Sequence, residues 1–156
     1  MKVFLFYIAL AYIALSVQAT LFEGIKPDFI LVIVCSYSLK YGRTNGVAYG
    51  ALAGLLIDTV NGFLIGPNII GKSIAAFFVK TLRDNLYQWN IFINTLAICI
   101  FSVINVVVVY MCLDLFSEVQ FINRSIVISV KEVIYTVVVS LVLYPVFNPA
   151  KETKGI

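Results

Sequence analysis

Apolar residues in this chain come in long runs, broken at five places by short polar clusters. The first run, residues 3–22, is long enough as a helix to cross a bilayer core of about 30 Å. It also imitates a cleavable leader, with Lys2 ahead of it and Val17-Gln18-Ala19 near its end. A single lysine precedes the run, and Phe4, Phe6, Tyr7 and Tyr12 make it rich in aromatic residues, so it is read as the first helix.

A second, shorter run covers residues 28–39. Pro27 stands in its first turn, where a missing N–H costs nothing, and Lys40, Tyr41 and Arg43 stop it at an interface. A third helix over residues 45–60 is marked by glycines at every fourth position: Gly42, Gly46, Gly50 and Gly54, a step that Asp58, Gly62 and Gly66 continue. Positions i and i+4 lie nearly above one another on a helix, so the glycines predict a smooth groove. Such a groove disfavours a helix in water but lets helices approach closely in lipid. It serves either internal packing against the second or sixth helix, or an interface with another subunit or a partner's membrane helix. Asn61-Gly62 reads as a turn, and Gly66-Pro67-Asn68 opens a fourth helix ending near Lys80 or Leu82. Helices two to four are shorter and less apolar than five and six, and are expected inside the bundle.

Arg83-Asp84-Asn85 marks a surface loop, with Tyr87 and Trp89 as interfacial anchors. The fifth helix, residues 90–115, carries Asn94, Ser102 and Asn105 near one face, which predicts hydrogen bonds to a neighbouring helix. Asp114, Glu118 and Arg124 bracket a polar connection. The sixth helix, residues 125–147, ends before Asn148-Pro149. Its polar residues Glu132, Thr136, Ser140 and Tyr144 are four apart, a stripe that faces either core or a cavity rather than lipid. Lys131 and Glu132 lie about two turns inside; lysine can snorkel outward along its stem, glutamate less easily.

Composition agrees with this layout. Of 156 residues, 62% are hydrophobic and 12% charged, against about 25% charged in soluble domains. The expectation is a single all-α integral membrane domain, a six-transmembrane-helix bundle. A net charge of +3 offers no nucleic-acid surface. Histidine is absent, which removes Ser-His-Asp and Cys-His catalysis and any His-ligated metal. No cofactor or metal site is expected. Cys35, Cys99 and Cys112 lie in apolar runs and read as small buried hydrophobes. Lys2, Lys40, Arg43, Lys80, Arg83, Lys151 and Lys154 fall on one side of a six-span layout, and only Lys26 and Arg124 on the other. The positive-inside rule then places both termini in the cytoplasm.

Asp58 sits among Leu55, Leu56 and Ile57, and a carboxylate at membrane depth needs a partner or a task. Three readings compete: a cap on the fourth helix or its preceding turn, an ion pair with Lys72 or Lys131, and a catalytic acid pair with Asp114, Glu118 or Glu132.

The sequence resembles the bacterial rod shape-determining protein MreD family. The resemblance is carried by Lys26-Pro27-Asp28-Phe29-Ile30-Leu31, the glycine-rich helix ending in Gly54-Leu55-Leu56-Ile57-Asp58, then Asn61-Gly62, Leu64-Ile65-Gly66, Asn68 and Lys72-Ser73. It implies an inner-membrane role in cell-wall elongation, beside the single-span protein MreC and the actin-like MreB. It also implies a fold similar to the six-helix substrate-binding subunits of energy-coupling-factor vitamin transporters. The resulting expectation is a scaffold or adaptor, bound to an MreC-like protein or to a second copy of itself. The competing classes are a vitamin-type binding subunit of a transporter and an intramembrane enzyme.

Overall fold

The structure, a computed structural model, describes residues 2–21, 24, 26–62, 64–86, 90–116 and 126–147. Tyr87, Trp89, Glu118, Arg124 and the tail from Asn148 lie outside the described residues. Six helices follow in order: α1 (Lys2–Leu21), α2 (Phe29–Tyr41), α3 (Arg43–Asn61), α4 (Pro67–Asn85), α5 (Ile91–Phe116) and α6 (Ile126–Phe147). Among the described residues, three stretches are long and apolar enough to cross a membrane: Val3–Thr20, Ile91–Phe116 and Val127–Pro145.

The centre of the bundle is α2. It has 13 residues, nine of them buried, and it touches every other helix. At 1.5 Å per residue it is about 20 Å long, short of a bilayer core. Such a helix can be apolar all round only because its neighbours surround it. One apolar cluster joins Tyr7 and Ala11 of α1 to Ile33, Val34, Tyr37, Tyr49 and Ala53. A second, on the other side of α2, joins Leu31, Val32 and Cys35 to Ala75, Val79, Ile98 and Phe101.

The most extensive helix contact is between α3 and α4, and the glycines explain it. A Cβ on Gly50 would stand 2.7 Å from the carbonyl oxygen of Lys72, and one on Gly54 would overlap the backbone of Asn68 and Ile69. A Cβ on Gly46 would overlap Ser38 of α2. The groove therefore receives α4 and α2 of its own chain, and among the described residues α3 makes no contact with α6. Two expectations need correction. Gly42 does not belong to the groove: it lies between α2 and α3 at φ +95°, with open space where a Cβ would go. It ends α2, donating its N–H to Ser38 O at 3.0 Å. Likewise Pro27 precedes the cap of α2, and Asp28 is the N-cap itself, its carboxylate accepting from Leu31 N at 2.8 Å.

The alternation of helices produces two unlike ends. At one end stand the start of α1, the α2–α3 junction and the end of α4. There the rings of Tyr7, Tyr37, Tyr41 and Tyr49 pack edge-to-face or tilted, with centroids 4.6–6.1 Å apart. Arg83 donates to Leu39 O at 2.9 Å, and Asp84 pairs with Lys80 and Arg43. At the opposite end the polar residues of all six helices surround a cavity.

Candidate functional site

At the cavity end, Asp58 occupies the last turn of α3, the wrong end of its own helix dipole for a carboxylate. It is 1% exposed because it reaches across to α4. There Oδ2 accepts from Gly66 N at 2.8 Å and Ile69 N at 3.4 Å. Oδ1 accepts from Asn68 N at 3.2 Å and Asn68 Nδ2 at 2.8 Å. The first turn of a helix presents N–H groups without partners, and the N-cap position of α4 is Gly66, which has no side chain to serve them. Asp58 caps α4 from the preceding helix. The turn is shaped to allow this: Gly62 closes α3 in the left-handed region at φ +69°, and Gly66 stands at φ +137°. Asn61 remains helical and exposed at the end of α3.

Lys72, one turn into α4, is 1% exposed although charged. Its ammonium lies 2.9 Å from Asp28 Oδ2 and donates to Asn68 Oδ1 at 3.2 Å. Of the three readings of Asp58, the cap on α4 is the one its hydrogen bonds carry, and the alternative of a direct pair with Lys72 is corrected. Asp28 holds the lysine, and Asn68 joins the two acids by donating to Asp58 while accepting from Lys72. Asp28 Oδ2 also accepts from Asn105 Nδ2 of α5 at 3.3 Å, and Asp28 N donates to Thr136 Oγ1 of α6 at 2.9 Å. One continuous network thus links α2, α3, α4, α5 and α6. The Asn105 amide can face Asp28 only with its nitrogen, since its oxygen would meet a carboxylate oxygen; Oδ1 is left against Gly71, without a hydrogen-bond partner.

Lys131 is exposed on α6 and takes no part, a second correction: its stem carries the charge outward. Glu132 is half-buried and lines the cavity; its backbone oxygen accepts from Thr136 Oγ1 at 2.8 Å. Farther along the same stripe, Thr136 and Ser140 are buried and Tyr144 is half-buried. Asp114 is exposed near the end of α5. Among the described residues, the two oxygens of Asp58 are taken up by four N–H bonds from the start of α4, the arrangement of a cap. Among the described residues no group of three His, Cys, Asp or Glu side chains could hold a metal ion.

The cavity has a volume of about 530 Å³. Asp28, Asp58, Asn68, Lys72 and Asn105 line its inner end, and Gln18, Lys26, Asn61 and Glu132 stand around it. Asp28 stood in the sequence only as part of the family motif and Thr136 only as part of the α6 stripe; the bond between them and the pairing of Asp28 with Lys72 were not expected. An acid before an apolar helix reads as an ordinary cap, and Asp28 is one; nothing in its spacing announces that its second oxygen holds a lysine 44 residues away. A buried lysine in need of a partner was the only available signal.

Comparison with known proteins adds one positive finding. The family model described as rod shape-determining protein MreD matches residues 1–149. No curated protein and no solved structure matches, so the expected likeness to vitamin-transporter subunits rests on the sequence resemblance alone. The family match spans all six helices, including the Asp58 cap and the Asp28–Lys72 pair, and on it the chain belongs to the rod shape-determining protein MreD family.

Proposed function

We propose that the chain is a non-catalytic adaptor of the cell-wall elongation machinery, seated in the inner membrane with both termini in the cytoplasm. In this reading it acts in complex with a single-span protein of the MreC type, beside an MreB-type filament. Family membership supports the role in rod shape. The observation that carries the adaptor reading is the use of the buried polar groups. Asp28, Asp58, Asn68 and Lys72 bond one another and the ends of α2 and α4, an arrangement that holds a frame rather than one that exposes a nucleophile. The charge bias of the connections supports the orientation, with Lys40, Arg43, Lys80 and Arg83 gathered at the cytoplasmic end.

Depleting the protein in its host tests the reading: rods should become swollen or spherical, and affinity purification should recover a single-span membrane protein. Unchanged cell shape would sink it. Single cysteines at positions 43 and 83 should react only from the cytoplasmic side; labelling from outside reverses the orientation.

One observation favours a second reading, a small-molecule binding subunit of a transporter. The cavity falls within the range of about 300–1,000 Å³ seen for ligand sites. Loss of uptake of one nutrient on depletion, with shape intact, would select it.

A further inference from the structure

At the end of the bundle opposite the cavity, cations outnumber acids. Lys40 stands in the last turn of α2, Arg43 opens α3, and Lys80 and Arg83 lie in the last two turns of α4. Among the described residues, the acid beside them is Asp84. Its Oδ1 takes the Lys80 ammonium at 2.8 Å, while Arg43 stays 3.9 Å from Oδ2, beyond hydrogen-bond distance. The rest of the sequence on this side keeps the sign positive. Residues 86–90 carry no charge, and beyond α6 Lys151 and Lys154 outnumber Glu152.

Two of these cations are held in place with donors to spare. The Arg43 guanidinium lies over the Phe77 ring, 5.0 Å from its centroid, a cation–π contact that orients it. A guanidinium has five N–H donors, and among the described residues none of those on Arg43 reaches an acceptor. The Lys80 ammonium uses one of its three donors on Asp84. Phe77, Lys80 and Asp84 recur at helical spacing along one face of α4. On that face Phe77 is exposed, and so is Phe78, its ring centroid 5.3 Å away. Spare donors and exposed apolar rings therefore adjoin, one turn apart.

That adjacency selects the occupant. The planar fork of arginine matches two phosphate oxygens at once, and an ammonium beside it adds a charge-assisted bond. A soluble acidic peptide would answer the charges and leave the rings uncovered. A phospholipid brings a phosphate and an apolar chain at successive depths in one molecule. Phosphatidylcholine cancels its phosphate with its own cation, so a net positive surface favours a head group without one.

We propose that Arg43, Lys80 and Phe77 form a site for an anionic phospholipid, its phosphate on the two cations and an acyl chain along Phe77 and Phe78. Lys40 and Arg83 strengthen the positive field around it. This goes beyond the adaptor reading, and its readout is lipid binding rather than cell shape, so either can fail without the other.

The test is native mass spectrometry of the full chain in detergent, with dioleoyl phosphatidylglycerol and dioleoyl phosphatidylcholine added in equal amounts. Phosphatidylglycerol should be retained in preference. Arg43→Gln and Lys80→Gln should each weaken its binding about fivefold, the ratio given by about 1 kcal/mol per cation near a membrane surface. Arg43→Lys should lose part of the preference, because it keeps the charge without the fork. Lys131→Gln, near the start of α6 at the other end of the bundle, should change nothing. Both patch positions are partly or fully exposed, and a variant is read where it keeps the wild-type melting temperature. Equal retention of the two lipids by the wild-type protein overturns the proposal, as do losses at Arg43 and Lys80 no larger than at Lys131. Displacement of phosphatidylglycerol by inorganic phosphate at equal concentration overturns the role given to the acyl chain. Displacement by an oligoglutamate peptide at equal concentration would assign the patch to an acidic protein segment instead.

Discussion

The two ends of this bundle solve the same problem, holding helices together around charged residues, by opposite means. At the basic end the ionic groups are wet: Arg43 and Asp84 are 44% and 46% exposed and 3.9 Å apart, a geometry that contributes little. Cohesion there comes from tyrosine rings packed edge-to-face or tilted, each contact worth about 0.5–1.5 kcal/mol beyond its buried area. At the cavity end Asp28, Asp58 and Lys72 are largely withdrawn from solvent, and each is bonded to another helix. A buried ion pair adds little net stability over apolar packing, yet removing one member strands the other. The basic end should therefore tolerate substitution, while the cavity end should fail in a correlated way.

The comparison breaks most visibly at Asp28. Asp28→Asn keeps an acceptor for Leu31 N but removes the charge facing Lys72, and loss of a buried partner typically costs about 3–5 kcal/mol. The melting temperature in detergent should fall steeply, and Lys72→Met in the same molecule should restore part of the loss. A double-mutant cycle measures that coupling; additive losses would mean that the two side chains do not pair. Next in size is Gly50→Leu, which places a branched side chain where the α4 backbone lies 2.7 Å from a bare Cβ. Overpacking of this kind costs about 1–3 kcal/mol or more, and an unchanged melting temperature would show that α3 does not lie on α4.

Asp58→Asn sharpens the picture at an intermediate level. Its amide can serve one pair of the α4 donors through its oxygen, but its NH₂ would then face the other pair. The expected loss is about 1–2 kcal/mol, with no rescue by Lys72→Met, because Lys72 pairs with Asp28. Rescue would restore the direct Asp58–Lys72 bridge. The smallest effect belongs to the aromatic end. Tyr49→Phe removes one bond of 2.7 Å to Tyr7 O and keeps the ring, for a loss of about 0.5–1.5 kcal/mol. Asp84→Asn should leave the melting temperature where it is, and a larger drop there than at Asp58 would reverse the ranking of the two ends.

Much of the architecture was legible from local pattern. Six helices, their order and their lengths to within a few residues follow from apolar run length and from Gly, Asn and Pro between the runs, because those signals act on the backbone nearby. The polar stripe of Thr136 and Ser140, and that of Asn94, Ser102 and Asn105, followed from helical period; all five side chains are buried. The every-fourth glycines announced a close helix contact for the same reason, since a missing Cβ is a property of the chain itself.

Which helix fills that groove is a different kind of question. Gly50 and Gly54 meet α4, although α2 and α6 were the neighbours expected, because α4 turns back directly on α3 through the tight link at Gly62 and Gly66. The partner of Lys72 was equally beyond reach of the sequence. Asp58 and Asp28 both end or begin a helix beside apolar residues, and their residue types do not say which one stands within 3 Å of an ammonium. Only the packed structure brings the N-terminus of α2 beside the first turns of α4, so that Asp58 caps a helix while Asp28 holds the lysine. Spacing along the chain sets which face a side chain takes; its partner is chosen by helix crossing, which depends on how all six surfaces fit at once.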